Sequence, residues 1–532
     1  MKKAFGIILK GKKIKGVLAC LIIVSIVTGF ILVLANELLG RAFNDYLLLQ
    51  DLVGFVPIVL GTVGLFILVF VLSILSANLR ANFQYTSLSR LAGYYIERLL
   101  RAKNSFFTNR PSAELFAKLN ESSYSVSFLF TSLLGIVSYG IIMTFYGIII
   151  FRLDVLAGVF TVLVTPIYFL ANGWAGGMLS DLMHERLETD GEMNTVTQEA
   201  FENVSNVKAK GAFSFFTGRS VGVLHKIERI GVAENTLEGY IHGITVLLRI
   251  ITPLLIIWAA MGFSSDFEGG ATKLILLYIN IPLFLGNFAY VFEQYIEYKA
   301  ARPFLSQLKE YDDIELENEE GIEITAFESL RTEGVSVVFD GGREVAVPNF
   351  EIKKNEKIMF FGESGIGKST IFNIIMGLIT EYEGAVFING VNLREVSITS
   401  LRKVFGITFQ HTNALTLDLR GNILLGTSLA DEKLDELIRL TALENRDDVK
   451  GSTVLNNKVL SGGEKSRLGL SQTLVTNPEI MLIDEAFSNM DEALEYKILT
   501  DLFREYPNRT VICISHRTSG SGFFDRVVDF NT

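Results

Sequence analysis

Cysteine is nearly absent from this 532-residue sequence: Cys20 stands in an apolar run and Cys513 in a strand-like one. Two residues so far apart make no disulfide framework, and a reducing, cytosolic face is the natural reading for Cys513. An excess of positive charge is missing as well. With 48 Lys+Arg against 58 Asp+Glu the net charge is −10, so the global basic patch that would hold nucleic acid is absent and no nucleic-acid partner is expected. Charge of either sign is sparse, at 20% of residues against 49% apolar, and mean hydropathy is +0.37. That balance excludes both a single soluble domain and a disordered chain. A cleavage site for a removable leader is also lacking. Lys10, Lys12, Lys13 and Lys15 precede the first apolar run, but no small-residue site follows Ala35, so the run reads as a retained helix.

Long hydrophobic runs are what the sequence has. Six are long enough to cross a bilayer core of ~30 Å at about 20 residues each: 17–35, 52–76, 128–151, 155–172, 244–263 and 274–292. Lys and Arg set their orientation, because cytoplasmic loops retain these residues. Six lie in the first 16 residues, seven between runs two and three and six between runs four and five, whereas the opposite side has only Arg41, Arg152 and Lys273. Both termini are therefore expected on the cytoplasmic side of a multi-pass protein of the cytoplasmic membrane. The two long inner loops are rich in helix formers, which predicts helices continuing well beyond the lipid.

Charge also marks a boundary. Residues 1–303 hold 25 basic and 21 acidic residues, a net of +4, and the remainder holds 23 and 37, a net of −14. A membrane domain over 1–303, a linker over 304–321 and an acidic soluble domain over 322–532 follow. Pro57, Pro166, Pro253 and Pro282 lie inside the runs, as packed kinks or as hinges. Ionisable and amide side chains at membrane depth mark a candidate substrate path. Arg249, Asn280 and Asn287 are its members, although Arg249 also reads as a side chain snorkelling to headgroups and the two asparagines as interhelical hydrogen-bonding groups.

In the soluble half, an apolar strand over 357–361 runs into Gly362-Glu-Ser364-Gly365-Ile366-Gly367-Lys368-Ser369-Thr370 and then a helix. Glycines that turn successive N–H groups inward at a helix start make a polyphosphate cradle. In that context Lys368 reaches the β- and γ-phosphates and the Ser369 hydroxyl serves Mg²⁺. A second strand ends in Asp484-Glu485, which places one carboxylate to reach the hydrated ion and another to face an attacking water. Gln410 closes a further strand. Ser461-Gly462-Gly463-Glu464 opens a helix as a second anion-binding nest. His516 ends a strand at the edge where ligands of open α/β sheets bind.

In order and spacing these elements resemble an ATP-binding cassette (ABC) transporter half of the exporter type, over nearly the whole chain. The resemblance implies a membrane all-α six-helix domain followed by an α/β P-loop ATPase domain. It makes 362–370 the Walker A loop, Gln410 the Q-loop residue and a metal contact beside Ser369 and Asp484, and 480–485 the Walker B strand with Glu485 catalytic. Ser461–Glu464 becomes the signature, Ser488–Asp491 the D-loop with Asp491, and His516 the switch histidine. Phe339 stands where the family usually has a tyrosine stacked on adenine, and also reads as a core residue. Segments 105–115 and 199–208 resemble coupling loops. The sequence departs from the pattern in its D-loop, Ser-Asn-Met-Asp, and in the 16 residues following His516, which imply short terminal helices. Too little chain precedes the first run for a leader-processing peptidase domain.

The function expected is ATP-driven export by alternating access, with ATP and Mg²⁺ bound between the cassettes of two half-transporter subunits, as a homodimer or a heterodimer. The lipid bilayer is a further partner, and the cargo an amphipathic peptide, lipid or drug-like molecule. An ATP-gated channel or membrane sensor and a lipid flippase are the alternatives.

Overall fold

The structure, a computed structural model, describes residues 2–10, 12–47, 52–108, 110, 112–263, 270–339, 341–363, 365–444, 455, 460–516 and 520–531. Its contacts divide into two units, Met1–Leu100 with Ser112–Ile314, and Arg101–Pro111 with Glu315–Thr532.

The first unit is helical. Its elements are α1 (Lys2–Ile8), α2 (Lys12–Arg41), α3 (Leu52–Leu100), α4 (Ser112–Leu153), α5 (Val155–Glu202), α6 (Val204–Ala209), α7 (Phe213–Phe263), α8 (Gly270–Ala301) and α9 (Phe304–Asp312). Five helices, α2, α3, α4, α7 and α8, carry apolar stretches long enough to span a bilayer. The sixth expected span opens α5, where the apolar stretch among the described residues is Val155–Ile167. Helices α3, α5 and α7 have 49, 48 and 51 residues. Each reaches about 70 Å at 1.5 Å per residue, more than twice the lipid core, as the inner-loop composition predicts. Asp154 alone separates α4 from α5; it accepts from the Ala157 N–H at 2.8 Å and pairs with Lys273 at 2.7 Å, which satisfies both the helix start and a charge next to the apolar core.

Leu32, Tyr146, Ile150, Ile256, Ile281 and Leu285 pack where α2, α4, α7 and α8 meet. By contrast Leu60, Ile67, Phe70 and Ile74 of α3 are exposed, a face that only lipid or another apolar surface would stabilise. The expected linker starts as helix α9, and only from Glu315 does the chain join the second unit.

The second unit has two sheets. An antiparallel one orders β2-β1-β5-β6, with β3 also on β1, from β1 (Ser329–Phe339), β2 (Arg343–Ala346), β3 (Glu351–Lys353), β5 (Glu383–Ile388) and β6 (Val391–Asn392). A parallel one orders β10-β4-β9-β8-β7, from β4 (Lys357–Phe361), β7 (Phe405–Thr408), β8 (Ile480–Asp484), β9 (Thr510–Ile514) and β10 (Arg526–Asp529). Every residue of β8 and β9 is buried, the signature of central parallel strands covered on both faces. Helices α10 (Lys368–Ile375), α11 (Ile398–Val404), α12 (Leu419–Leu424), α13 (Asp431–Leu440), α14 (Gly462–Val475) and α15 (Glu492–Glu505) complete it. Phe360, Phe372 and Ile512 anchor one core layer, and Leu468, Ile483 and Ile498 the other.

The segment Arg101–Pro111, expected as the first coupling loop, clusters with this unit. Ala102 bridges Leu316 antiparallel, Lys103 pairs with Glu315 at 2.6 Å, and Arg101 with Glu319 at 3.2 Å. The second expected coupling segment falls at the end of α5 and in α6.

Candidate nucleotide site

Four parallel strands deliver their carboxyl ends to one place. Beyond β4 the loop residues Gly365 and Gly367 have φ of +81° and +117°, values that favour glycine. A Cβ on Gly367 would stand 2.6 Å from Val345. Gly362 precedes them with φ +151°, and Ile366 packs against the core. Ser364 lies outside the described residues. Lys368 opens α10 and is buried; its Nζ donates to the Gly362 and Glu363 carbonyls, both at 2.7 Å. Burial pushes its ammonium pKa down, against the pull of Glu485 and Asp484.

From β8 come two carboxylates with different surroundings. Asp484 is buried and accepts from the Ser369 hydroxyl at 2.9 Å. Burial raises its carboxyl to about 6, with the Ser369 hydrogen bond opposing and the Glu485 charge adding to the rise. Glu485 has φ +46°, an uncommon conformation for a residue with a side chain and one that clusters at functional sites. Its N–H donates to the Ile514 carbonyl at 3.1 Å. The carboxylate is gripped from both sides: Gln410 Nε2, just past β7, donates to Oε2 at 2.7 Å, and His516 Nε2, just past β9, lies 2.6 Å from Oε1. The structure thus sets the Gln410 amide on Glu485.

Gly365, Gly367, Lys368, Ser369, Gln410 and Glu485 line a cleft of about 520 Å³ that also includes Phe339, Thr370, Arg343 and Val345. Phe339 is half-exposed at the end of β1, so its ring faces the cleft and not the core. Arg343 is a residue the sequence reading missed. It is the cross-strand partner of Phe339, and its Nη2 donates to the Gly365 carbonyl at 2.7 Å. The signal was Gly341-Gly342, a turn that folds β2 back on β1 and so brings a cation to the aromatic ring.

The second nest lies elsewhere. Ser461 caps α14 in a capping box: its Oγ accepts from the Glu464 N–H at 3.3 Å, and its own N–H donates to the Glu464 carboxylate at 2.7 Å. Gly462 is exposed and Gly463 half-buried in the first turn, and a Cβ on Gly463 would meet the Asn489 carbonyl at 2.9 Å. Asp491 caps α15, accepting from the Leu494 N–H at 2.8 Å. Among the described residues lining the cleft, none comes from Ser461–Glu464.

In the helical unit the three path candidates differ. Asn280 is fully buried, and its amide joins Asn36 of α2 at 2.6 Å and the Leu276 carbonyl at 2.8 Å. The Asn287 amide returns to its own helix at the Leu283 carbonyl, 2.8 Å away. Arg249 lies against Gly286 of α8, and its Nε is buried without a partner among the described residues.

Comparison with known proteins matches residues 18–288 to the ABC transporter transmembrane region and residues 346–488 to the ABC transporter family. The chain is similar to the "Lactococcin transport/processing ATP-binding protein LcnC-like" of Lactococcus lactis, at 24% identity over 82% of the chain and 62% of that protein. It thus spans less than two thirds of that relative. It is also similar to an "ATP-dependent lipid A-core flippase" of Syntrophus aciditrophicus, at 25% identity over 81% of the chain and 74% of that protein. Among solved structures, a bacterial Atm1-family ABC exporter with ATP bound superimposes with a TM-score of 0.79, covering 96% of this chain and 92% of that one at 21% identity. The likeness is one of fold.

Proposed function

Because the chain belongs to the ABC transporter family, its transmembrane region followed by its ATPase domain, we propose that it is an ATP-driven exporter of the cytoplasmic membrane, working as a dimer of half-transporters on an amphipathic peptide, lipid or drug-like cargo. The observation that carries this reading is Glu485, a carboxylate held by Gln410 and His516 and lining one cleft with Ser369, whose hydroxyl donates to Asp484. A hydrolytic site needs such a base, oriented and hydrogen-bonded yet still open to water.

ATP enters with its base on Phe339 and its phosphates on the N–H groups of 365–369, where the α10 dipole and Lys368 favour negative charge. Lys368 exchanges the two loop carbonyls for phosphate oxygens, a stronger, charge-assisted pairing. The Ser369 hydroxyl and the Asp484 carboxylate suit Mg²⁺, which takes few protein ligands and hard oxygens. When bound, the ion supplies positive charge to the phosphates. The Asp484 carboxylate, ionised above about pH 6 despite its burial, would face that charge. Glu485 orients and deprotonates the attacking water, with His516 and Gln410 fixing its two oxygens. The Ser461–Gly463 nest of a second copy closes over the phosphates. That contact exists only while the triphosphate is intact, so hydrolysis releases it. Each cycle of closure and release drives the long helices between inward- and outward-open arrangements.

Inside-out vesicles test this reading. ATP-dependent accumulation of cargo that vanishes in Glu485→Gln is expected, while ATP-dependent passive conductance would replace the pump with a channel. The relative named as a lipid A-core flippase favours one second reading, that the cargo is a lipid. Relocation of a labelled lipid between leaflets would establish it.

A further inference from the structure

Most charged side chains described in the apolar helices have a protein partner. Arg80 donates to the Ser76 hydroxyl at 3.1 Å and lies over the Tyr139 ring, and Lys273 pairs with Asp154 at 2.7 Å. Arg249 is different. It sits 14 positions before the end of α7 at Phe263, about 21 Å along the helix axis and hence inside a core of ~30 Å. Among the described residues it makes no hydrogen bond and no ion pair, and its Nε is buried. The nearest acids in sequence are Glu238, 11 positions earlier on α7, and Glu293, seven positions beyond Gly286 on α8, roughly 16 and 10 Å away along the axes.

The guanidinium reaches the neighbouring helix. It lies across α8, with Nη2 and Cζ 3.1 and 3.3 Å from the point a Cβ would occupy on Gly286. Glycine makes this seat, since a methyl group there would push the charge away. One turn further on, Tyr290 is exposed and stacks on Tyr139 of α4 at 5.2 Å between ring centroids. The site therefore offers a permanent cation, a seat that positions it, and an aromatic, apolar surround.

We infer that Arg249, seated on Gly286, recognises an anionic group, a carboxylate or phosphate, on an amphipathic cargo. An unpaired guanidinium in hydrocarbon is costly, and a ligand that brings the opposite charge recovers that cost on binding. The inference rests on the export reading above and adds the charge of the cargo to it.

The test is binding to the full chain in phosphatidylcholine nanodiscs, without ATP, read by displacement of dansyl-undecanoate. Dodecanoate and dodecyl phosphate should displace it at concentrations at least about tenfold below dodecyltrimethylammonium, as a charge-assisted bond would give. Arg249→Gln should abolish that preference and Arg249→Lys should keep most of it. Gly286→Ala should weaken it several-fold. An unchanged preference in Arg249→Gln overturns the inference. So does loss of the preference in the wild type on adding phosphatidylglycerol, which makes a lipid headgroup the ligand. Vesicles that accumulate cargo regardless of its charge sink this inference alone, whereas a persistent anion preference without ATP-driven accumulation sinks the export reading alone.

Discussion

Arg343 and Asp484 show how single residues set the chemistry of the cleft. Arg343 faces the same space as Phe339 and holds the Gly365 carbonyl, so it both shapes the phosphate loop and adds positive charge for a nucleotide. Arg343→Ala should raise the half-saturating ATP concentration about five- to tenfold with kcat within about twofold, as loss of a partly exposed charged contact would. ATPase titrations check it. Asp484 illustrates the opposite trade. Its carboxyl is raised from 3.8 to about 6 by burial, so the folded protein holds a proton that the unfolded chain releases. Stability therefore falls as pH rises from about 4 through about 6 and stays lower above that range. In EDTA at pH 7.5, Asp484→Asn should stabilise the nucleotide-free protein by about 1–3 kcal/mol, seen as a higher Tm, while hydrolysis drops at least about 100-fold.

Caps and joints carry the next scale. Asp491 caps α15 through its contact with the Leu494 N–H; Asp491→Ala should lower stability by about 1 kcal/mol, measurable by denaturant unfolding. Asn280 and Asn36 join α8 to α2 through fully or nearly buried amides. Asn280→Ala should destabilise the helical unit by about 0.5–2 kcal/mol, and adding Asn36→Ala should cost little more, because the pair is one interaction. At this scale the sequence was readable wherever chemistry sits in a short segment: the strand, glycine loop and helix at 357–375, and the strand ending in Asp484-Glu485. It was not readable where contacts depend on register between distant strands. The Phe339–Arg343 pairing is of that kind, and so is the bridge from Ala102 to Leu316 that fastens a helix-connecting segment to the cassette unit. Nor did the acidic composition of 304–321 reveal that α9 occupies its first half.

For the whole molecule, the central claim is that one chain holds two halves of two different ATP sites. Its cleft is lined by Glu485, the glycine loop and Ser369, while among the described residues the capped Ser461 nest contributes nothing to that lining. The apolar runs made the helical membrane unit legible, five of them lying in helices long enough to span a bilayer, since lipid imposes length directly on sequence. The proposed division of labour between two copies comes only from family resemblance, because no local pattern encodes a partner. Mixed pairs in a Glu485→Gln background, where ATP stays trapped, test it most directly. One chain carries Lys368→Ala and the other Gly462→Asp, so a shared site leaves the mixed pair with one site doubly damaged and one intact. Trapped radiolabelled ATP should be near zero for either chain alone and return to about half the undamaged level, per mixed pair, when the two are co-assembled. No recovery on mixing, or full trapping by the Gly462→Asp chain alone, would contradict the account.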